Sequence, residues 1–74
     1  MSKLPVLSPD KIIAILKKRG FILDRVKGSH HIFIHPETRK RVVVPFHKKD
    51  LPRGTLLEVL RQAGLSREEL RELL

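Results

Sequence analysis

No cysteine occurs in the 74 residues of the chain. Disulfide staples, thiolate zinc sites and thiol catalysis are therefore excluded. Tryptophan and tyrosine are absent as well, and phenylalanine occurs three times. A stacking platform for single-stranded bases, which needs a row of aromatic faces, is disfavoured. Acidic residues are scarce: eight Asp and Glu stand against sixteen Lys and Arg, giving a net charge of +8 with histidine neutral. No apolar run approaches the ~20 residues that span a bilayer. Near the N-terminus, Pro5 and then Ser8-Pro9-Asp10 break up the apolar residues, so the expectation is a cytoplasmic chain without a targeting signal. A chain of this length is expected to form one domain, residues 1–74. It buries only about 60% of the surface its unfolded form exposes. That leaves little room for a bound dinucleotide or a deep cofactor site.

What is present has a direction. Residues 1–55 hold thirteen Lys and Arg and four Asp and Glu, and residues 56–74 hold three Arg and four Glu. The whole positive excess thus precedes residue 56. Such a distribution is the footprint of a polyanion binder, although excess charge also serves solubility alone. The hydrophobic fraction is 41%, too high for a chain disordered by composition.

Helix signals come first. Ser8 is a capping residue, Pro9 fits the first helical position and Asp10 complements the dipole. Ile12, Ile13, Ile15 and Leu16 follow at helical spacing, and Gly20 suits the left-handed stop, which places a helix over 9–19. Three β-rich runs follow, at 21–27, 30–35 and 41–44. They are separated by Gly28-Ser29 and by a turn around Pro36 to Lys40, and read as an antiparallel meander. Thr55 with Glu58 and Ser66 with Glu69 are capping-box pairs. They predict a helix from Thr55 whose apolar face is Leu56, Leu57, Leu60 and Ala63, with Gly64 as its stop. A short last helix would carry Leu70, Leu73 and Leu74. Two helical segments can then cover one face of a three-stranded sheet and leave the other wet.

Four histidines raise the question of metal. His30 and His31 are neighbours on a strand and point to opposite faces. His31 and His35 share a face but stand about 13 Å apart along it. Neither pair can hold one ion, and closed structural sites need about four ligands, so no metal is expected. Acid–base work is the alternative, since an unperturbed imidazole titrates near about 6.5. Lys27, Gly28, Ser29 and His30 put a cation, a residue that lets backbone approach, a hydroxyl and an imidazole in four positions. That set suits a phosphodiester, and it also describes an ordinary hairpin with a surface histidine. His47, Lys48 and Lys49 form a basic loop that either holds phosphate or is merely solvated. Arg39, Lys40 and Arg41 suit backbone anchoring better than base reading. Phe33 and Phe46 suit core or rim.

Several short motifs occur in one order: Gly20-Phe21, Gly28-Ser29-His30-His31-Ile32-Phe33, Val44-Pro45-Phe46-His47, Gly54-Thr55-Leu56 and Gln62-Ala63-Gly64-Leu65. Each is weak alone. Together they resemble the HicA family, also called YcfA-like, over about residues 8–74. The family comprises small toxins of bacterial and archaeal toxin–antitoxin pairs. The resemblance implies an α+β, double-stranded-RNA-binding-domain-like fold, α-β-β-β-α with a short extra C-terminal helix, and a three-stranded antiparallel sheet with helices on one face. It further implies a metal-independent endoribonuclease that cleaves mRNA and arrests translation, without a cofactor, masked by a HicB-like antitoxin protein. The family's catalytic histidine falls on His30, with Gly28 and Ser29 as its supporting turn. His47 falls on the Pro-x-His position.

On this reading the RNA 2′-hydroxyl attacks the adjacent phosphate with His30 as general base or general acid. Lys27, His47, Lys48 and Lys49 would bind the RNA. A non-catalytic RNA-binding module is the alternative. A DNA reader fits poorly, because the second helix offers only Arg61 and Gln62 outside its apolar face. Alternation does not tell which sheet face is buried. An accessible His30 requires Phe33 in the core and Ile32 and Ile34 as an exposed apolar strip suited to antitoxin contact.

Overall fold

The computed structural model describes residues 4–47 and 49–74. The N-terminal end of the expected lead-in, residues 1–3, lies outside them. Helix α1 spans Pro9–Lys18, strands β1, β2 and β3 span Ile22–Lys27, His30–Ile34 and Arg41–Pro45, and helices α2 and α3 span Arg53–Ala63 and Arg67–Leu73. The α+β class and the expected element order are both observed.

Local chemistry explains most boundaries. The Ser8 side chain accepts from the Lys11 amide at 3.4 Å, Pro9 occupies the first turn, and Lys17 and Lys18 close the helix. Gly20 then turns the chain with φ +92°. Space requires glycine here too, because a Cβ would meet His35 Nε2 at 2.9 Å. Ser66 and Glu69 form the expected capping box of α3.

The start of α2 departs from the sequence expectation. Thr55 does not cap it. The helix begins at Arg53 after Pro52, and no side chain caps it. The Pro52 carbonyl accepts from the Leu56 amide at 2.9 Å. Leu51 is buried in the core, and its amide donates to the Leu7 carbonyl at 2.8 Å. This tertiary anchor delivers Pro52 in position to cap the helix three residues before Thr55, which places Thr55 inside the first turn. Glu58, the expected partner of Thr55, instead accepts from Arg61 and Gln62. The buried face also differs by one residue. Leu56, Val59, Leu60 and Ala63 are buried, and Leu57 is half-buried.

The strands form an antiparallel sheet in the order β1-β2-β3. In register, Phe33 faces Val42 and His31 faces Val44. Phe33, Val42 and Val44 are buried in one cluster with Ile12, Leu16, Leu56 and Leu70, so the helices cover the face bearing odd-numbered β2 residues. Helix α2 packs chiefly on β3. It also closes the β3 edge, where the Val43 amide donates to Gln62 Oε1 at 2.9 Å. Strand β1 is exposed along its whole length. Leu23 and Val26 pair with Phe33 and His31 and so lie on the helix side, yet they remain 47% and 52% exposed. The helical layer stops short of β1, which projects as an overhanging edge.

Candidate functional site

His30 opens β2, directly after the two-residue turn Gly28-Ser29. Gly28 has φ +60°, and Ser29 is not among the residues with positive φ. A left-handed glycine in the first turn position is the pattern of a type II′ hairpin, whose twist matches that of its strands. Nothing lies within 4 Å of the position a Gly28 Cβ would take, so the space over the turn is open to a ligand. Lys27 pairs with His30 across the hairpin. Directly opposed residues project to the same face, so the cation and the imidazole share the helix-free side of the sheet. Lys27, Gly28, Ser29 and His30 are all exposed.

On its other side His30 pairs with Pro45. The Phe46 amide donates to the Ser29 carbonyl at 2.6 Å and extends the pairing beyond the strand. The Gly-Ser-His turn and the Pro45-Phe46-His47 segment, about fifteen residues apart in the chain, are thereby brought side by side. His47 and Lys49 are exposed in the loop that follows. Lys48 lies outside the described residues.

The other two histidines are structural. His31 is half-buried and stacks on Phe46, with ring centroids 4.6 Å apart. Its Nδ1 is buried without a hydrogen-bond partner. His35 Nδ1 accepts from the amides of Glu37 and Thr38 at 3.2 and 3.3 Å. That assigns the proton to Nε2, which donates to the Arg19 carbonyl at 3.1 Å. The ring also meets Phe21 edge-on. His35 therefore ties the turn after β2 to the end of α1. Among the described residues no three His, Asp or Glu side chains gather in one place.

The sheet has the orientation that an accessible His30 requires. Phe33 is 1% exposed, and His30 lies on the free face. The expected apolar strip is only partial, because Ile32 and Ile34 are half-buried. Each sits on the central strand between in-register neighbours: Arg25 and Val43 flank Ile32, and Ile22 and Arg41 flank Ile34. Within the sheet, the more exposed apolar side chains are those of β1. Arg41 pairs with Ile34 at the opposite end of β2, about 13 Å from His30 along the strand. Arg39, Lys40 and Arg41 are thus not gathered around His30. Phe46 is 37% exposed and lies at the rim.

One feature is missed by motif reading. A cavity of about 400 Å³ opens between the end of β3 and the start of α2, lined by Pro45, His47, Lys49, Asp50 and Thr55 among others. In sequence Thr55 reads as a helix cap and Asp50 follows the basic His47-Lys48-Lys49 run, so neither stands out. The one available signal was the carboxylate itself, the sole acidic residue between Glu37 and Glu58.

A family model described as HicA toxin of bacterial toxin-antitoxin matches residues 9–65 of the chain. No curated protein matches it.

Proposed function

The chain belongs to the HicA toxin family of bacterial toxin–antitoxin pairs, and on that premise we propose that it is a metal-independent endoribonuclease, its 74 residues acting as one domain. The observation that carries the reading is the exposed His30 at the tip of the β1–β2 hairpin, in register with Lys27 and beside the segment that leads to His47. Open space over Gly28 lets an RNA backbone approach the turn. The RNA supplies its own nucleophile, so no enclosed pocket is needed.

In the proposed reaction the 2′-oxygen forms a bond to the adjacent phosphorus and the bond from phosphorus to the 5′-oxygen breaks. The products are a 2′,3′-cyclic phosphate and a 5′-hydroxyl. One proton leaves the 2′-hydroxyl and one arrives on the 5′-oxygen. His30 serves one of these transfers, and His47 or water serves the other. Lys27, with Lys48 or Lys49, stabilises charge that builds on the phosphate. General acid–base help of this kind contributes about 10²–10⁴-fold, so the enzyme is slow, which suffices against long messages. A HicB-like antitoxin would bind the same face and withhold His30 from mRNA.

His30→Ala is expected to lower RNA cleavage by about 10²-fold or more while leaving the fold intact, because the side chain is exposed. Cleavage equal to the parent's would overturn the assignment. A 2′-deoxy substitution at the scissile position should block cutting there, and continued cutting would reject the 2′-hydroxyl as nucleophile. Loss of activity on chelation would reject metal independence. A non-catalytic RNA binder would bind RNA in a salt-sensitive way without cutting it.

A further inference from the structure

We infer that the cavity beside His30 is a base-recognition subsite that takes a guanine of the RNA next to the cleaved bond. The inference rests on the proposed nuclease reading, but its own observation is independent of His30 chemistry. The cavity measures about 400 Å³, within the ~300–1,000 Å³ typical of small-ligand sites. Its apolar wall is Pro45, Leu51 and Pro52, and Asp50, Thr55 and Lys49 supply the polar groups. Pro45 is both part of the wall and the in-register partner of His30. Paired strand residues lie about 5 Å apart, so a base seated on this wall belongs to a nucleotide at or next to the phosphate that His30 reaches.

The wall supplies aliphatic surface for a ring in a chain that has neither tyrosine nor tryptophan. The polar groups decide which ring. An ionised carboxylate only accepts hydrogen bonds, and it has two oxygens to fill. Guanine is the base whose pairing edge presents two donors side by side, N1–H and the N2 amino group. Cytosine and adenine each place a lone pair beside their amino group, and uracil flanks its single N–H with two carbonyls. Those lone pairs would face the Asp50 oxygens and be repelled. Guanine also carries O6 and N7 acceptors, which suit a lysine, and Lys49 precedes Asp50 in the chain and lines the same cavity. Adjacent residues of opposite charge thus match the two halves of one base. Asp50 has no ion-pair partner among the described residues, unlike Glu69 with Arg19, Asp24 with Arg25 and Glu58 with Arg61. Thr55, free of the capping role, adds a hydroxyl at the same wall. Without a ligand to hold, a carboxylate here would only weaken the attraction of a basic loop for RNA.

The test has two arms. In the first, the full chain is titrated with guanosine 3′-monophosphate and with cytidine 3′-monophosphate while backbone amide resonances are followed. Saturable shifts at Leu51 and Thr55 are expected with the guanine nucleotide. Binding of the cytosine nucleotide should be at least about tenfold weaker, the scale of one good bidentate base contact, and Asp50→Asn should erase the difference. Equal responses to both nucleotides, or none at these residues, overturn the subsite. In the second arm, cleavage sites are mapped on a random-sequence RNA. The parent should cut next to guanine, and Asp50→Asn should lower cutting at those sites at least about tenfold relative to all others. Cutting without guanine bias overturns the subsite and leaves the nuclease reading standing. A parent that cuts no RNA overturns the nuclease reading, and the nucleotide titration then decides the subsite alone.

Discussion

Adjacent imidazoles at His30 and His31 point to opposite faces of β2 and meet opposite surroundings. His30 is exposed beside Lys27, and His31 is stacked on Phe46 with Nδ1 enclosed. The sequence shows that the two must differ, because strand neighbours alternate. It does not show which one is accessible, since Ile32 and Ile34 stand on one face and Phe33 on the other. The glycines of the two turns differ in a similar way. Gly28 has a positive φ and open space, whereas Gly20 has a positive φ and the His35 ring 2.9 Å from where a Cβ would sit. Gly28→Ala should therefore cost about 1 kcal/mol of backbone strain. Gly20→Ala should cost about 2 kcal/mol or more, because it adds displacement of a ring hydrogen-bonded to Arg19. Urea unfolding midpoints of the two variants check the order, and equal losses would reject the steric part.

Among the elements, α1 and α3 form where their caps predict and α2 does not. Caps act over three or four residues, so they are legible in sequence when nothing distant competes. At α2 the burial of Leu51 and its bond to Leu7 compete and win. The released Glu58 then acquires a different task. It accepts from Arg61 and Gln62, and Gln62 in turn holds the Val43 amide at the sheet edge. The bond to Arg61, followed by that to Gln62, lowers the Glu58 carboxyl from 4.5 to about 2. A lowered carboxylate contributes stability that is fully present above its ordinary value and is lost as pH falls through the folded one. The melting temperature should accordingly fall as pH drops from about 4.5 toward 2, and Glu58→Gln should flatten that fall. Thermal melts of both proteins across this window provide the check, and identical acid profiles would show that the clasp does not matter to stability. Glu69 is also lowered, chiefly by the Ser66 amide, so the parent's profile contains a second contribution of the same sign. The comparison with Glu58→Gln separates the two.

For the molecule as a whole, the charge arithmetic and the fold point the same way. The positive excess precedes residue 56, and the sheet and its turns come from that part of the chain. Lys27 stands beside His30 on the helix-free face, and Arg41 marks the other end of β2. RNA binding by the His30→Ala protein should weaken with salt, and adding Lys27→Ala should reduce the log–log slope by about 0.7, the value of one single-strand phosphate contact. Affinities measured between 50 and 200 mM salt test this, and an unchanged slope would remove Lys27 from the phosphate path. No helix among the described residues is long and apolar enough to cross a membrane. By itself the sequence determined the identity and order of the elements, two of the three helix starts, the hairpin turn and the residues of the Gly28-Ser29-His30 motif. All of these are set by interactions within a few positions along the chain. The tertiary structure alone decided which sheet face is open, where α2 begins, that His30 lies across from Pro45, and that Asp50 and Thr55 line one cavity. Those outcomes depend on strand register and on packing between segments remote in sequence, for which local periodicity carries no information.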